Sequence, residues 1–275
     1  MERIRIDSLD EYKKVIMGKR LYNNGYSMAE TQKYIAEGRL YKICCEAAFV
    51  LAYDEKRYMQ LVIPIIDDVD NLKAIVHSFL ETPLVCYVIK DGKKTADEFE
   101  TLLKRIGFSC HKTIREYALP DITIRTKVAS KEYIKYNVIR SSDYQEIVDL
   151  WRDNLPYLEI PYISFEDIRQ GEQQKQLLFI KDEHDSVVAA CGYDKFLGKS
   201  TIHHIVVSEE QRGKGYAVDL LNAWLNMADE NGIKKARSWI ESENTASQRS
   251  FEKVGFCMTG TMSYQYIFNK QSGGK

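Results

Sequence analysis

The chain has 275 residues, enough for two ordinary domains, and its 44% hydrophobic and 29% charged residues exclude a disordered or fibrous polymer. Its 39 basic and 40 acidic residues leave a formal net charge of −1, so no global positive field collects nucleic acid or an anionic membrane. The longest apolar runs, residues 47–52 and 61–66, fall far short of the roughly 20 residues a membrane span needs, and the amino terminus lacks a signal-peptide core; the expected compartment is the cytoplasm.

In chain order, the patterning predicts helices over residues 9–19 and 28–36, strands over 40–53 and 57–66, a helix over 71–80, a strand over 84–89, a helix over 96–106 and a closing strand. Residues 119–130, with Pro120 and Asp121 followed by charged and small residues, read as a joint. A strand over 133–139 follows, then a helix opened by Ser142 as N-cap, with Ile147, Val148, Leu150 and Trp151 on its apolar stripe up to Pro156. A second helix is expected after Ser164, with Phe165 and Ile168 on one face. Short strand-like runs at 176–181, 186–193 and 201–208 form an antiparallel meander, because turn residues at 182–185 and 198–200 separate them. From Gly215 the period changes: Ala217, Leu220, Leu221, Trp224, Leu225 and Ala228 recur at helical spacing until Asn231-Gly232. A strand over 233–240, a helix over 245–254 and one or two strands over 256–268 complete the chain.

The two halves follow the same order. Leu103-Lys104-Arg105-Ile106-Gly107-Phe108 is echoed 148 positions later by Phe251-Glu252-Lys253-Val254-Gly255-Phe256, which implies two copies of one fold, residues 1–130 and 131–275. The six cysteines (Cys44, Cys45, Cys86, Cys110, Cys191, Cys257) form no Cys-x-x-Cys pair and no zinc-like Cys/His spacing, so no metal is expected.

The stretch that carries chemistry runs from Ile205-Val206-Val207 through Ser208-Glu209-Glu210-Gln211 to Arg212-Gly213-Lys214-Gly215-Tyr216-Ala217. A strand ends, the chain turns through two glycines, and an amphipathic helix begins. The first amides of a helix have no partner inside it, and its dipole adds partial positive charge there. Gly213 and Gly215 let the backbone close round a phosphate without Cβ atoms in the way, and Arg212 and Lys214 add cations. A diphosphate suits such a cradle. The nucleoside-triphosphate loop and the dinucleotide fingerprint are both excluded by the glycine spacing.

Arg212-x-x-Gly215-x-Ala217 resembles the Arg/Gln-x-x-Gly-x-Gly/Ala signature of the GNAT acetyltransferases. Asn244-Thr245-Ala246-Ser247-Gln248-Arg249-Ser250-Phe251-Glu252-Lys253-Val254-Gly255-Phe256 resembles a second block of that family, in the expected order. The resemblance covers roughly residues 136–268. It implies an α/β (α+β) fold, here as tandem GNAT-like domains, each a mixed, mostly antiparallel twisted sheet flanked by helices and splayed at its middle around the cofactor. It further implies acetyl-coenzyme A as co-substrate. The backbone of Ile205, Val206 and Val207 would pair with the pantetheine arm. The amides of Arg212, Gly213, Lys214, Gly215, Tyr216 and Ala217 would hold the pyrophosphate. Asn244 would bond the pantetheine region, and Phe251 would flank the thiol end. The first half lacks the glycines: residues 62–71 carry Asp67, Asp68 and Asp70, which would repel a pyrophosphate, so this half reads as a degenerate copy that does not bind coenzyme A in the family manner and is kept for packing or for shaping the acceptor cleft.

The reaction implied is direct attack of a primary amine of a small molecule or peptide on the thioester. An amine of pKa about 10 must first lose a proton to a base. His203 and His204 precede the cradle, and strand alternation sends them to opposite faces. Many relatives carry a glutamate where Thr201 stands, which leaves His203 as the candidate base, with an imidazole pKa of about 6.5. Phe251 replaces a tyrosine that serves relatives as acid; Ser250, Tyr193, Tyr264 or water could substitute. Tyr157, Tyr162, Tyr193 and Tyr264 could line an acceptor pocket. Cys191 reads as packing. Two alternatives stand beside the transferase: a binding module that holds coenzyme A without turnover, and a tandem-domain transferase using aminoacyl-tRNA, which the intact cradle disfavours. No nucleic acid or membrane partner is expected, and the oligomeric state is open.

Overall fold

The computed structural model describes residues 1–21, 28–46, 48–56, 58–64, 68–79, 82–90, 95–136, 141–155, 177–196 and 198–268. The helix expected after Ser164, with Phe165 and Ile168, and the tyrosines Tyr157 and Tyr162 lie outside these residues, as does Asp67. The chain divides into two compact units, Met1–Ile114 with Thr261–Lys275, and Arg115–Gly260.

The first unit runs β1 (Glu2–Arg5), α1 (Leu9–Ile16), α2 (Met28–Ala36), β2 (Leu40–Cys45), β3 (Ala48–Asp54), β4 (Met59–Val62), α3 (Val69–His77), β5 (Leu84–Lys90) and α4 (Thr95–Arg105), then enters β6 (Ser109–Leu119). The single strand expected over 40–53 is a hairpin. Glu46 takes a left-handed φ of 47°, which reverses the chain and pairs Cys45 with Ala48. β1 to β4 pair antiparallel in sequence, β4 meets β5 in parallel, and the far side of β5 is closed by β12 (Cys257–Phe268) through Met262 to Phe268. Tyr266 and Phe268 thereby join Phe99, Leu103, Ile106 and Leu72 in this unit's core.

The second unit repeats the order: β7 (Ile134–Tyr136), α5 (Ser141–Asn154), β8 (Leu177–Lys181), β9 (Val187–Phe196), β10 (Lys199–Val207), a 3-10 turn (Glu209–Gln211), α6 (Tyr216–Glu230), β11 (Lys235–Glu241) and α7 (Thr245–Lys253), followed by the first residues of β12. The two units therefore follow one order of elements, as the sequence implies. The expected antiparallel meander is β8–β9–β10. Both of its faces are covered, and the side-chain alternation of β8 divides between them. Leu178 and Ile180 join α6 (Leu220, Leu221, Trp224), while Leu177 and Phe179 join α5 (Ile147, Val148, Trp151). Burying Trp224 completely is worth about 2–3 kcal/mol, and its Nε1 donates to Ser200 Oγ at 2.9 Å, so no polar atom is stranded. Gly232, at φ 72°, ends α6. Among the described residues no helix is long and apolar enough to cross a membrane.

Candidate active site

The site is built where β10 parts from its neighbour. On one side β10 pairs with β9 as far as Val207↔Ala189. On the other it pairs in parallel with β11 only over Lys199↔Lys235, Ser200↔Ala236 and Thr201↔Arg237. Ser238 Oγ, donating to Ile202 O at 3.1 Å, marks the fork. Beyond it the second edge of β10 pairs with no strand among the described residues, so the peptide groups of Ile205 to Val207 on that edge can take an extended ligand as an added strand.

At the end of β10 the chain turns through the predicted cradle. Gly213 and Gly215 have φ of 81° and 90°, which only glycine adopts without strain, and an added Cβ at either would enter open space. Gly215 is the N-cap of α6, no side chain caps this end, and Asp219 N makes the first bond back, to Gly215 O at 3.0 Å. The amides of Tyr216, Ala217 and Val218 are thus without intrahelical partners and carry the positive end of the dipole. Arg212 folds back, donating to Asn154 Oδ1 at 2.9 Å and Val207 O at 3.4 Å; Lys214 Nζ donates to Gln211 Oε1 at 2.5 Å. Both cations stand beside the exposed loop. An anion of two phosphates fits these donors and this charge.

The third wall is the start of α7. Asn244 Oδ1 accepts from Ser247 N at 3.0 Å, so Asn244 is the helix N-cap, a role the sequence reading did not assign. Phe251 is only 3% exposed and lies edge-on to Phe256 with ring centres 5.1 Å apart, in the unit's apolar core.

The histidines are arranged differently from the expectation. Register slips between His203↔Gly192 and Val206↔Ala190, so β10 carries one extra residue there. His204 sits in this bulge at φ 55°. Strand alternation is broken, and the two imidazoles, expected on opposite faces, are neighbours with ring centres 4.9 Å apart. The His204 ring lies 5.5 Å from Trp151 of α5, so both face the α5 side. The imidazole pKa expected near 6.5 is also corrected. Burial pushes His203 down to about 4; burial, then the neighbouring His203, pushes His204 down to about 3. Both rings are neutral at pH 7.

Two candidate acids have partners of their own. Tyr264 falls in the first unit, where it pairs with Val88 and carries Lys90 over its ring. Ser250 Oγ donates to Ala246 O within α7. Tyr193 and Cys191 lie in the core of the second unit, and burial pushes the Cys191 thiol up, which suits packing rather than nucleophilic attack.

A parallel strand, a glycine turn with an uncapped helix behind it, and a fork beside the strand coincide with a known sequence pattern: the profile of the acetyltransferase (GNAT) family matches residues 144–256. These residues form a GNAT acetyltransferase domain. The chain is 28% identical over 74 residues to the [ribosomal protein bS18]-alanine N-acetyltransferase of Haemophilus ducreyi, which covers 27% of the chain and 51% of that protein. It is 38% identical over 60 residues to the L-methionine sulfoximine/L-methionine sulfone acetyltransferase of Pseudomonas aeruginosa, covering 22% of the chain and 35% of that protein. The chain thus spans between about a third and three fifths of the length of the curated relatives it matches. In fold it is similar to a tandem GNAT protein from the clavulanic acid biosynthesis pathway, with a TM-score of 0.59 at 10% identity over 97% of this chain and 98% of that one.

Within the GNAT domain, the sequence reading missed the bulge, the shared face of the histidines, and the place of Trp151 beside them. One signal was available. Gly192 interrupts an otherwise regular strand, and a glycine inside a strand marks a bulge or a close approach.

Proposed function

We propose that the protein is an N-acetyltransferase that moves an acetyl group from acetyl-coenzyme A to a primary amine of a small molecule or peptide. The observation that carries this reading is the left-handed Gly215 N-cap of α6 at the end of β10, beside the strand's open edge. The amides of Arg212 to Ala217 hold the pyrophosphate, and the edge of Ile205, Val206 and Val207 holds the pantetheine arm. Asn244, at the start of α7, stands by the pantetheine region, and Phe251 flanks the thiol end as an apolar wall from behind it. His203 takes the proton of the attacking amine. The amine nitrogen bonds to the acetyl carbon, the carbon–sulfur bond breaks, and the thiolate leaves; a coenzyme thiol, with a pKa of about 8.5 by analogy with cysteine, needs no strong acid. The relatives named for a protein alanine and for methionine derivatives support an amine of a peptide or a small molecule as the acceptor. The second unit is the catalytic domain and the first a degenerate copy that binds no coenzyme. Six free thiols fit a reducing, cytoplasmic setting.

A second reading, a coenzyme-A-binding module without turnover, draws support from the His203 pKa of about 4, which makes a weak base, and from Phe251, which has no proton to give. One experiment separates them: titrate acetyl-coenzyme A calorimetrically into the wild type and Gly215→Glu, then follow free coenzyme A release with an amine panel. Binding lost in Gly215→Glu together with amine-dependent release supports the transferase. Binding without release from any amine supports the module. No binding at all removes both.

A further inference from the structure

Gly192 stands in the middle of β9, paired with Leu177 of β8 on one side and His203 of β10 on the other. Its φ is not in the left-handed region, so its backbone would suit any residue, and conformational freedom does not explain a glycine there. Space does. A Cβ at Gly192 would lie 2.7 Å from His203 Nε2 and 2.9 Å from its Cδ2, closer than real Cβ contacts come. The Nε2–Cδ2 edge of the imidazole therefore occupies the space a side chain at residue 192 would need, on the face that packs with Ala190, Leu177 and Trp151. The bulge at His204 brings the second ring to the same face, so His203 is held between its neighbour on one side and the glycine gap beneath it.

We infer that Gly192 is a positioning residue for the acyl transfer, leaving the gap that seats the His203 imidazole in its working orientation. The inference rests on the transferase reading. A methyl group at 192 must push the ring off the sheet and toward water, because the strand backbone below it is fixed by pairing on both sides. His203 would then point away from the amine and lose part of its desolvation; among the described residues the titratable ring beside it is His204.

The test is a double-mutant cycle in the full chain: wild type, Gly192→Ala, His203→Ala and the double variant, assayed for amine-dependent coenzyme A release and for acetyl-coenzyme A affinity. Alongside it, the His203 imidazole is titrated by NMR in the wild type and Gly192→Ala. We expect Gly192→Ala to lose ten-fold or more in kcat/KM for the amine with acetyl-coenzyme A affinity changed less than two-fold. The double variant should match His203→Ala within two-fold, since without the ring there is nothing to displace. The His203 titration should move up from about 4 toward its ordinary value. Wild-type activity in Gly192→Ala, equal losses with and without the ring, or an unmoved titration would overturn the assignment. If Gly192→Ala does not fold but the double variant does, the clash is upheld; if neither folds, Gly192 answers to something other than the ring and the assignment is wrong. If the wild type binds acetyl-coenzyme A yet turns nothing over, the transferase reading fails, and the titration alone decides where the ring sits.

Discussion

Acidification should destabilise the second unit through its two histidines, by an amount that can be worked out. The folded-state pKa of His203 is about 4 and that of His204 about 3, both below the ordinary value, because burial opposes the charge. As pH falls through about 6.5 the unfolded chain therefore takes up protons that the folded unit refuses. Stability is complete above that pH, is lost on the way down, and stops falling once pH is below the folded values. At pH 5, His203 alone accounts for about 2 kcal/mol of loss. Because both rings are partly exposed and part of His204's depression is its repulsion by His203, the pair together is worth about 3 kcal/mol rather than the simple sum. The three tryptophans, Trp151, Trp224 and Trp239, all lie between Arg115 and Gly260, so their fluorescence reports this unit alone. With a urea slope of about 2 kcal/mol/M, the wild-type midpoint should drop by roughly 1.5 M between pH 7.5 and pH 5 on account of these rings. Carboxylates titrate over the same range, so the comparison is with His203→Asn/His204→Asn, in which asparagine tolerates the left-handed backbone at 204. The double variant should lose about 1.5 M less than the wild type. Equal losses would refute the claim that both imidazoles are held neutral by the fold.

Three further outcomes are expected. Gly215→Glu should abolish acetyl-coenzyme A binding in calorimetry while its circular dichroism stays native, because its Cβ enters open space and only the left-handed φ costs about 1–2 kcal/mol. Removing residues 261–275 strips β5 of its antiparallel partner and takes Tyr266 and Phe268 out of the first unit's core; at about 2–3 kcal/mol per buried side chain, this unit should lose most of its stability. Limited proteolysis should then cut residues 1–114 while tryptophan fluorescence stays native, and resistance there would refute the strand's role. Asp68→Ala should lower the melting temperature of the first unit by a few degrees, since Asp68 caps α3 by accepting from Asn71 N, and it should not create coenzyme A binding.

What was legible in the sequence was whatever depends on local period and turn chemistry. The α6 helix could be read from Leu220, Leu221, Trp224 and Ala228, its stop from Gly232, and the turn before it from Gly213 and Gly215, because each is decided by residues close together in the chain. The hairpin at Glu46 escaped, since a left-handed glutamate carries no turn signature. The bulge at His204 escaped because an alternating run does not itself disclose that one residue is left over when it pairs with β9, and the one hint, Gly192, lies on the neighbouring strand. That single slip brought the His204 ring to the face of His203, where burial lowers both pKa values. The fate of β12 was equally out of reach, because Met262 to Phe268 are shared out by long-range pairing with β5 that no local pattern encodes.

The two units answer one question twice: what occupies the helix start that follows the parallel strand. In the first unit Asp68 Oδ1 accepts from Asn71 N at 3.1 Å and Oδ2 accepts from Asn71 Nδ2 at 2.7 Å, bonds that hold its carboxyl below the usual carboxylate range. The dipole of α3 is thus satisfied from within the chain, and an incoming phosphate would meet a charge of its own sign. The strand before it offers nothing either, since Leu61, Val62 and Ile63 are wholly buried. In the second unit the corresponding helix start is a bare glycine, and Ile205 and Val207 remain partly exposed. The difference is in kind, because a carboxylate cap and a diphosphate compete for the same amides. On the proposed reading a unit that has the first would bind the second only by surrendering its cap, and Asp68→Ala would still leave Leu61, Val62 and Ile63 buried.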